Sequence, residues 1–381
     1  MSNSTGLIAT YQLTLSTEKA TDANLQKLAE QIAVGQTIGT ANAGEMEALQ
    51  PYLAEVVSVT SHSNPLIKIG FPAETVKSDL GTLLAVVFGK ISMGGQIRLV
   101  DLEIGPQLAE RYAGPRFGMT GVRELTGAAE GPLLMSIFKP CLGVSAETLG
   151  EMFYTQALGG VNLVKDDEVL SDPDFESARY RLECCLQAAD MATQETGQKT
   201  LYAINLTGPA EQLLHRARTL VQDGATAILF NYLCYGLPML NALRQDPDIT
   251  VPLVAHPALA GAFYGSPFHG VSPQVLFGTL PRLAGADLVL FPSPYGSVSL
   301  PMADAQAVSV ALTHAGAGLK PAFPVPSAGI QAEMIPKILA DFGSDVVINA
   351  GTGIYDHPIG AYNGVQAFVR TLSDSTAALT M

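Results

Sequence analysis

Two hydrophobic patterns divide the chain. Up to about residue 125 the apolar residues come in short strand-like runs: Leu7-Ile8-Ala9-Thr10-Tyr11 within 6–13, Val56-Val57-Ser58-Val59-Thr60 and Leu66-Ile67-Lys68-Ile69 within 54–71, and Gln96-Ile97-Arg98-Leu99-Val100-Asp101-Leu102. Helical spacing fills the gaps at 21–34, where Thr21 and Asp22 are candidate caps, and at 78–88, opened by Ser78-Asp79. The order β-α-β-β-α-β predicts a small ferredoxin-like α+β domain over residues 1–125, ending in the Pro/Gly-rich passage Gly114-Pro115-Arg116-Phe117-Gly118.

Over residues 126–381 the pattern becomes regular. Continuous apolar runs alternate with helical segments eight times: Leu133 to Lys139, Val161 to Lys165, Leu201 to Leu206, Ala227 to Leu233, Val251 to His256, Asp287 to Pro292, Ala322 to Pro326 and Val346 to Ala350. Continuous apolarity marks strands buried on both faces, as in a parallel sheet covered by helices. Eight such units predict a carboxyl-terminal (β/α)8 TIM barrel, making the whole an α/β protein of two domains. The active face of such a barrel is at the strands' carboxyl ends, and there the polar residues gather: Lys139, Lys165 to Glu168, Asn205, Thr207, Asn231, His256, Ser293, Ser327-Ala328-Gly329 and Gly351-Thr352-Gly353. The small residues after runs seven and eight occupy the usual phosphate position of barrel enzymes, or else form tight turns.

Composition narrows the class. Of 381 residues, 48% are apolar and 15% charged, enough for a large core and too apolar for a disordered chain. With a net charge of −14 and no run of Lys or Arg, nucleic acid and anionic membranes are poor partners, so an anionic metabolite must be held by a few local groups. Cys141, Cys184, Cys185 and Cys234 have neither metal nor disulfide spacing, and Cys184-Cys185 falls in a helical pattern as packing. Met1-Ser2-Asn3-Ser4-Thr5-Gly6 lacks the features of a signal peptide, and no apolar run is long enough to span a bilayer. The expectation is a soluble cytoplasmic protein.

The stretch with the most chemistry is Gly159-Gly160-Val161-Asn162-Leu163-Val164-Lys165-Asp166-Asp167-Glu168. Alternation along a strand sends Lys165 and Asp167 to one side and Asp166 to the other. By itself a lysine among acids reads either as a structural ion pair or as a site. Asp167 and Glu168 offer hard oxygen ligands suited to Mg²⁺, whereas a lysine ammonium cannot ligate a metal.

That stretch resembles the metal-site motif of the ribulose bisphosphate carboxylase (RuBisCO) large chain and its RuBisCO-like relatives. Ile137-Phe138-Lys139-Pro140-Cys141-Leu142-Gly143, Ala255-His256-Pro257-Ala258, Pro324-Val325-Pro326-Ser327-Ala328-Gly329-Ile330, Asn349-Ala350-Gly351-Thr352-Gly353, Thr37-Ile38-Gly39-Thr40 and Phe88-Gly89-Lys90 are similar to further motifs of the same family. Leu134-Met135-Ser136-Ile137-Phe138-Lys139, Leu201 to Gly208 and Leu290 to Val298 resemble the 2,3-diketo-5-methylthiopentyl-1-phosphate enolases of methionine salvage more than the carboxylases. The resemblance implies Mg²⁺-dependent tautomerisation of a phosphorylated diketone, the metal being held by Lys165 as a carbamate (N6-carboxylysine) with Asp167 and Glu168. It implies substrate contacts from Thr40, Lys139, His256, Ser327, Gly329, Gly351 and Thr352, with Lys90 as the base and Lys139 as its competitor. It further implies a homodimer whose active site lies at the subunit interface, Thr40 and Lys90 acting across it.

Several departures bear on the reaction. The lysine that carboxylases carry in the loop after strand 6 is missing, with Ser297 or a neighbour in its place. Pro257 stands where an arginine grips a second phosphate, Cys141 replaces a second catalytic lysine, and Ala41 replaces a usual tryptophan. Carboxylation of ribulose bisphosphate is therefore not expected. The other readings are an isomerase acting on 5-methylthioribulose-1-phosphate and a non-catalytic regulatory relative.

Overall fold

The computed structural model describes the chain except residues 1–4, 16–20, 41–45, 62, 77–78, 113, 297, 317 and 380–381. Ser78, Ala41, Ser297 and the start of the chain, singled out above, thus lie outside the described residues. Strands β1 (Thr5–Leu13), β2 (Glu55–Thr60), β3 (Leu66–Pro72) and β4 (Ile97–Ile104) form an antiparallel sheet in the order β4-β1-β3-β2. Together with helices Asp22–Gly35 and Leu80–Phe88 they give the ferredoxin-like arrangement. The caps are those the sequence signals: the Thr21 hydroxyl accepts from Asn24 N–H and the Asp79 carboxylate from Thr82 N–H, each satisfying a donor the first turn leaves free. Leu25, Ala29 and Ile32 pack with Leu7, Ala9, Tyr11, Ile67 and Ile69 in one apolar core.

The second sheet is an eight-stranded barrel. Its strands are β5 (Leu133–Ile137), β6 (Leu163–Lys165), β7 (Leu201–Asn205), β8 (Ala227–Phe230) and β9 (Leu253–Ala255). After a short excursion the chain adds β11 (Leu288–Pro292), β12 (Phe323–Ser327) and β13 (Val347–Ala350). The excursion is β10 (Gly270–Val271), which leaves the barrel to pair parallel with β4, while Ser272 and Gln274 bond to Leu99, Val100 and Asp101. Each neighbouring barrel pair is parallel, and β12 and β13 meet to close the ring, tied by Asn349 Nδ2 donating to Ser327 Oγ.

Period-two alternation sorts the strand residues into two cores. Leu133, Met135, Leu163, Leu201, Ala203, Ala227, Leu229, Val254, Leu288, Leu290, Phe323, Val325 and Val347 fill the barrel interior. Leu134, Val164, Tyr202, Ile204, Ile228, Phe230, Val289, Phe291 and Ile348 face the surrounding helices. The bottom is plugged by helix Gly118–Thr126, whose Val122 joins the interior core. Asp287, buried at the foot of β11, holds the plug by accepting from Phe117 and Gly118 N–H at 2.8 Å and from Leu253 N–H at 3.0 Å. Among the described residues no helix is long and apolar enough to cross a membrane.

Candidate active site

Continuing the inward alternation one step above the apolar interior gives Ile137, Lys165, Asn205, Asn231, His256, Pro292, Ser327 and Asn349. The barrel's packing rule therefore delivers a polar layer at the mouth with no further instruction. Above it opens a cavity of about 650 Å³ lined by Lys139, Lys165, Asp167, Glu168, His256, Ser327, Gly329, Asn349, Gly351 and Thr352 among others. Of the residues expected to hold metal or substrate, the structure brings together Lys139, Lys165, Asp167, Glu168, His256, Ser327, Gly329, Gly351 and Thr352. It does not bring Thr40 or Lys90 to this cavity. Both are exposed, and Lys90, leading the 3-10 turn Lys90–Gly94, borders a separate groove on the amino-terminal domain with Leu28, Ile32 and Ile97.

The Lys165 stretch is set by its flanks. Helix Ala146–Gly159 ends at Gly160, whose φ of 101° lies in the left-handed region that glycine tolerates, and β6 begins three residues later. Lys165 is fully buried, its Nζ donating to the Asp166 carbonyl at 2.8 Å. Burial disfavours the ammonium and pushes its pKa down, against the raising influence of Glu168 and Asp167. Asp166 points outward into a different network. Its carboxylate accepts from Arg181 at 2.5 Å, from the Tyr202 hydroxyl and from Asn205 N–H at 2.7 Å each, and Arg181 is itself 2% exposed and paired with Asp172.

Asp167 and Glu168 follow the strand. Burial alone would raise the Asp167 pKa, but hydrogen bonds from Lys139 Nζ and Val169 N–H outweigh it and hold the carboxyl below its usual range. Reciprocally, burial works to lower the Lys139 pKa, and its bond to Asp167 and the charges of Asp167 and Glu168 leave it raised. The Glu168 carbonyl is gripped from two strands, by Asn205 Nδ2 at 3.2 Å and Asn231 Nδ2 at 3.1 Å. Its side chain lies 3.4 Å from His256 Nε2. His256 Nδ1 accepts from Ala258 N–H, so the ring proton sits on Nε2, and burial keeps the pKa well below that of a free histidine. The imidazole is neutral, and its Nε2 faces the Glu168 carboxylate.

Across the mouth, Ser327 donates to the Val325 carbonyl at 2.9 Å and accepts from Asn349. Ala328 and Gly329 both have left-handed backbone, φ 73° and 71°. After β13, Ile354 and Tyr355 N–H return to the Gly351 carbonyl, while the N–H groups of Gly329, Gly351 and Thr352 take no partner among the described residues. Unclaimed amides of this sort suit an anion.

For a metal, the carboxylates present are those of Asp167 and Glu168, with the Lys165 amine beside them. Among the described residues no three His, Cys, Asp or Glu side chains gather to hold an ion. Lys165 lies beside the two carboxylates with its Nζ turned to the Asp166 carbonyl. The sequence placed Asn231 on the active face but gave no role to Arg181 or Asn349. Asn349 was readable two residues beyond the inward Val347, whereas Arg181, 15 residues from Asp166 on a helix, has no local signature.

Comparison with known proteins gives a consistent picture. Residues 118–297 and 301–377 match the family model for the ribulose bisphosphate carboxylase large chain, catalytic domain. The chain is 44% identical to a 2,3-diketo-5-methylthiopentyl-1-phosphate enolase of Geobacillus thermodenitrificans over 95% of its own length and 90% of the relative's. A protein of the same name from Exiguobacterium sibiricum is 43% identical over 98% and 93%. Among solved structures, a rubisco-like protein (MtnW) from Alicyclobacillus acidocaldarius superposes with a TM-score of 0.91 at 40% identity, covering 99% of this chain and 95% of that one. The octameric RuBisCO of Pyrococcus horikoshii, solved with sulfate ion, gives 0.88 at 27% identity, covering 98% and 88%.

Proposed function

This chain belongs to the ribulose bisphosphate carboxylase large-chain family, and we propose that within it the protein is a 2,3-diketo-5-methylthiopentyl-1-phosphate enolase of methionine salvage. It converts the diketone to 2-hydroxy-3-keto-5-methylthiopentenyl 1-phosphate and does not carboxylate ribulose bisphosphate. The observation that carries this reading is the high identity to enolases over nearly the whole chain, joined to one mouth that holds Lys165, Asp167 and Glu168 opposite the amides of Gly329, Gly351 and Thr352.

The donor set fits Mg²⁺ once Lys165 is a carbamate: three anionic oxygen ligands from Lys165, Asp167 and Glu168. Bound there, the ion would polarise the substrate carbonyl and favour the enolate. The chain's own groups do the rest. The amine form of Lys165, which burial favours over the ammonium, can add CO2 with loss of one proton. Gly329, Gly351, Thr352 and Ser327 would anchor the phosphate, and a single phosphate accords with Pro257 in place of a cation. His256 carries its proton on Nε2 and can offer it as a hydrogen bond to a substrate oxygen. The base removes the proton from the carbon beside the carbonyl. By resemblance to the enolases that base is Lys90, and Lys139, which reaches Asp167 at the mouth, is its competitor.

Lys90 and Thr40 do not border the barrel cavity of their own chain, so their contribution requires a second copy. The functional unit in this reading is a homodimer with the active site between subunits. The test is enolisation of the diketo monophosphate, assayed with and without Mg²⁺ and bicarbonate. Dependence on both supports the site as drawn, and absence of enolisation under carbamylating conditions rejects it.

A further inference from the structure

The loop after β11 is built around the loop after β12. Ser293, fully buried, donates its hydroxyl to the Ala328 carbonyl at 3.2 Å, and its N–H bonds to the Ser327 carbonyl at 2.7 Å. Three residues on, Gly296 passes so close that a Cβ there would lie 1.8 Å from the Ala328 oxygen. The far side of the loop is moored too: the Tyr295 hydroxyl bonds to Asp341, which Lys337 also holds at 2.9 Å while its ammonium sits over the Tyr295 ring.

What this brace grips is one peptide. Ala328 has a φ of 73°, which a residue with a side chain keeps only when its surroundings impose it. In a trans peptide the carbonyl and the following N–H point in opposite directions. Drawing the Ala328 carbonyl towards β11 therefore turns the Gly329 N–H away from that loop, and Gly329 lines the mouth.

We infer that Ser293 is a positioning residue for anion binding: by holding the Ala328 carbonyl it aims the Gly329 N–H at the substrate's phosphate, with residues 293–296 as the brace. The inference rests on the reading of this mouth as a phosphate site. Ser293 touches no reacting atom, so its loss weakens phosphate binding and raises KM far more than it lowers kcat.

The experiment uses the whole protein and inorganic phosphate as the probe. Calorimetric titration and inhibition of turnover by phosphate are compared in the unchanged chain, Ser293→Ala and Ser293→Thr, with melting temperatures alongside. One lost orienting hydrogen bond corresponds to a rise of about tenfold in phosphate Kd and in KM for Ser293→Ala. Ser293→Thr, which restores the hydroxyl, should recover most of it. Gly296→Ala reaches the same peptide independently and should weaken phosphate similarly if Ser293→Ala does not fold. Unchanged phosphate affinity in a folded Ser293→Ala, or a fall in kcat with KM constant, would overturn the inference and leave the phosphate site standing. If the unchanged protein binds no phosphate, both the inference and the reading beneath it fall.

Discussion

Removing Arg181 should expose how the strand end that carries Lys165 and Asp167 is held. The Arg181→Met variant keeps the length of the side chain and deletes its charge. It leaves Asp166, fully buried, with only the Tyr202 hydroxyl and Asn205 N–H as donors, and strips Asp172 of its guanidinium. Breaking a buried pair by removing one partner costs roughly 3–5 kcal/mol, because the remaining charge stays desolvated. The partly exposed Asp172 adds little. Replacing both members is far less costly, so Arg181→Met with Asp166→Asn should be more stable than Arg181→Met alone. Urea unfolding of the four proteins of that cycle measures the coupling directly. Because Asp166 lies between Lys165 and Asp167, the single variant should also lose activity. A cost below about 1 kcal/mol for Arg181→Met, or strict additivity in the double variant, would refute the claim that Asp166 and Arg181 form the support of the site.

Three further outcomes follow from named groups. Lys90→Ala should abolish turnover without changing Mg²⁺ binding measured by calorimetry, and retained turnover would move the base role to Lys139. Burial raises the Asp287 carboxyl to about 6, above the value of about 3.9 for a free aspartate, against the lowering effect of three backbone N–H donors. Its contribution to stability is thus full below pH 4 and lost as pH rises through 6, an effect on the order of 3 kcal/mol. Asp287→Asn should remove that part of the pH dependence in urea titrations, whatever its cost at a single pH. Finally, since monomers keep Lys90 away from the barrel mouth, mixing Lys90→Ala with Asp167→Asn, each inactive alone, should restore activity as hybrid dimers form. A mixture that stays inactive after subunit exchange would argue against a shared site.

The barrel was legible because its strands are buried on both faces and therefore read as uninterrupted apolar runs, from Leu133 to Ala350. The same alternation that packs Met135 and Leu163 inward predicts that Lys165 faces the mouth and Asp166 the helices, and the Arg181–Tyr202 network gives that outward acid its partners. Elements held by long-range pairing were not legible. Strand β10 has two residues and exists because β4 offers an open edge, and the plug helix Gly118–Thr126 starts where the Pro/Gly-rich end assigned to the amino-terminal domain stops. Nor does sequence display a brace such as Ser293, whose partners are backbone carbonyls that every residue possesses. That Lys90 and Thr40 lie apart from the mouth of their own chain was expected from the family resemblance and had no sign in the hydrophobic pattern.

Whether this mouth enolises a phosphorylated diketone is read from the substrate itself. The protein, preincubated with Mg²⁺ and bicarbonate, is mixed with 2,3-diketo-5-methylthiopentyl 1-phosphate, and enol formation is recorded by its ultraviolet absorbance. Rapid enol formation is expected that disappears on chelation of Mg²⁺ and in Lys165→Ala, with ribulose bisphosphate left uncarboxylated under the same conditions. Enol formation at the uncatalysed rate, or unchanged turnover in Lys165→Ala, would contradict it.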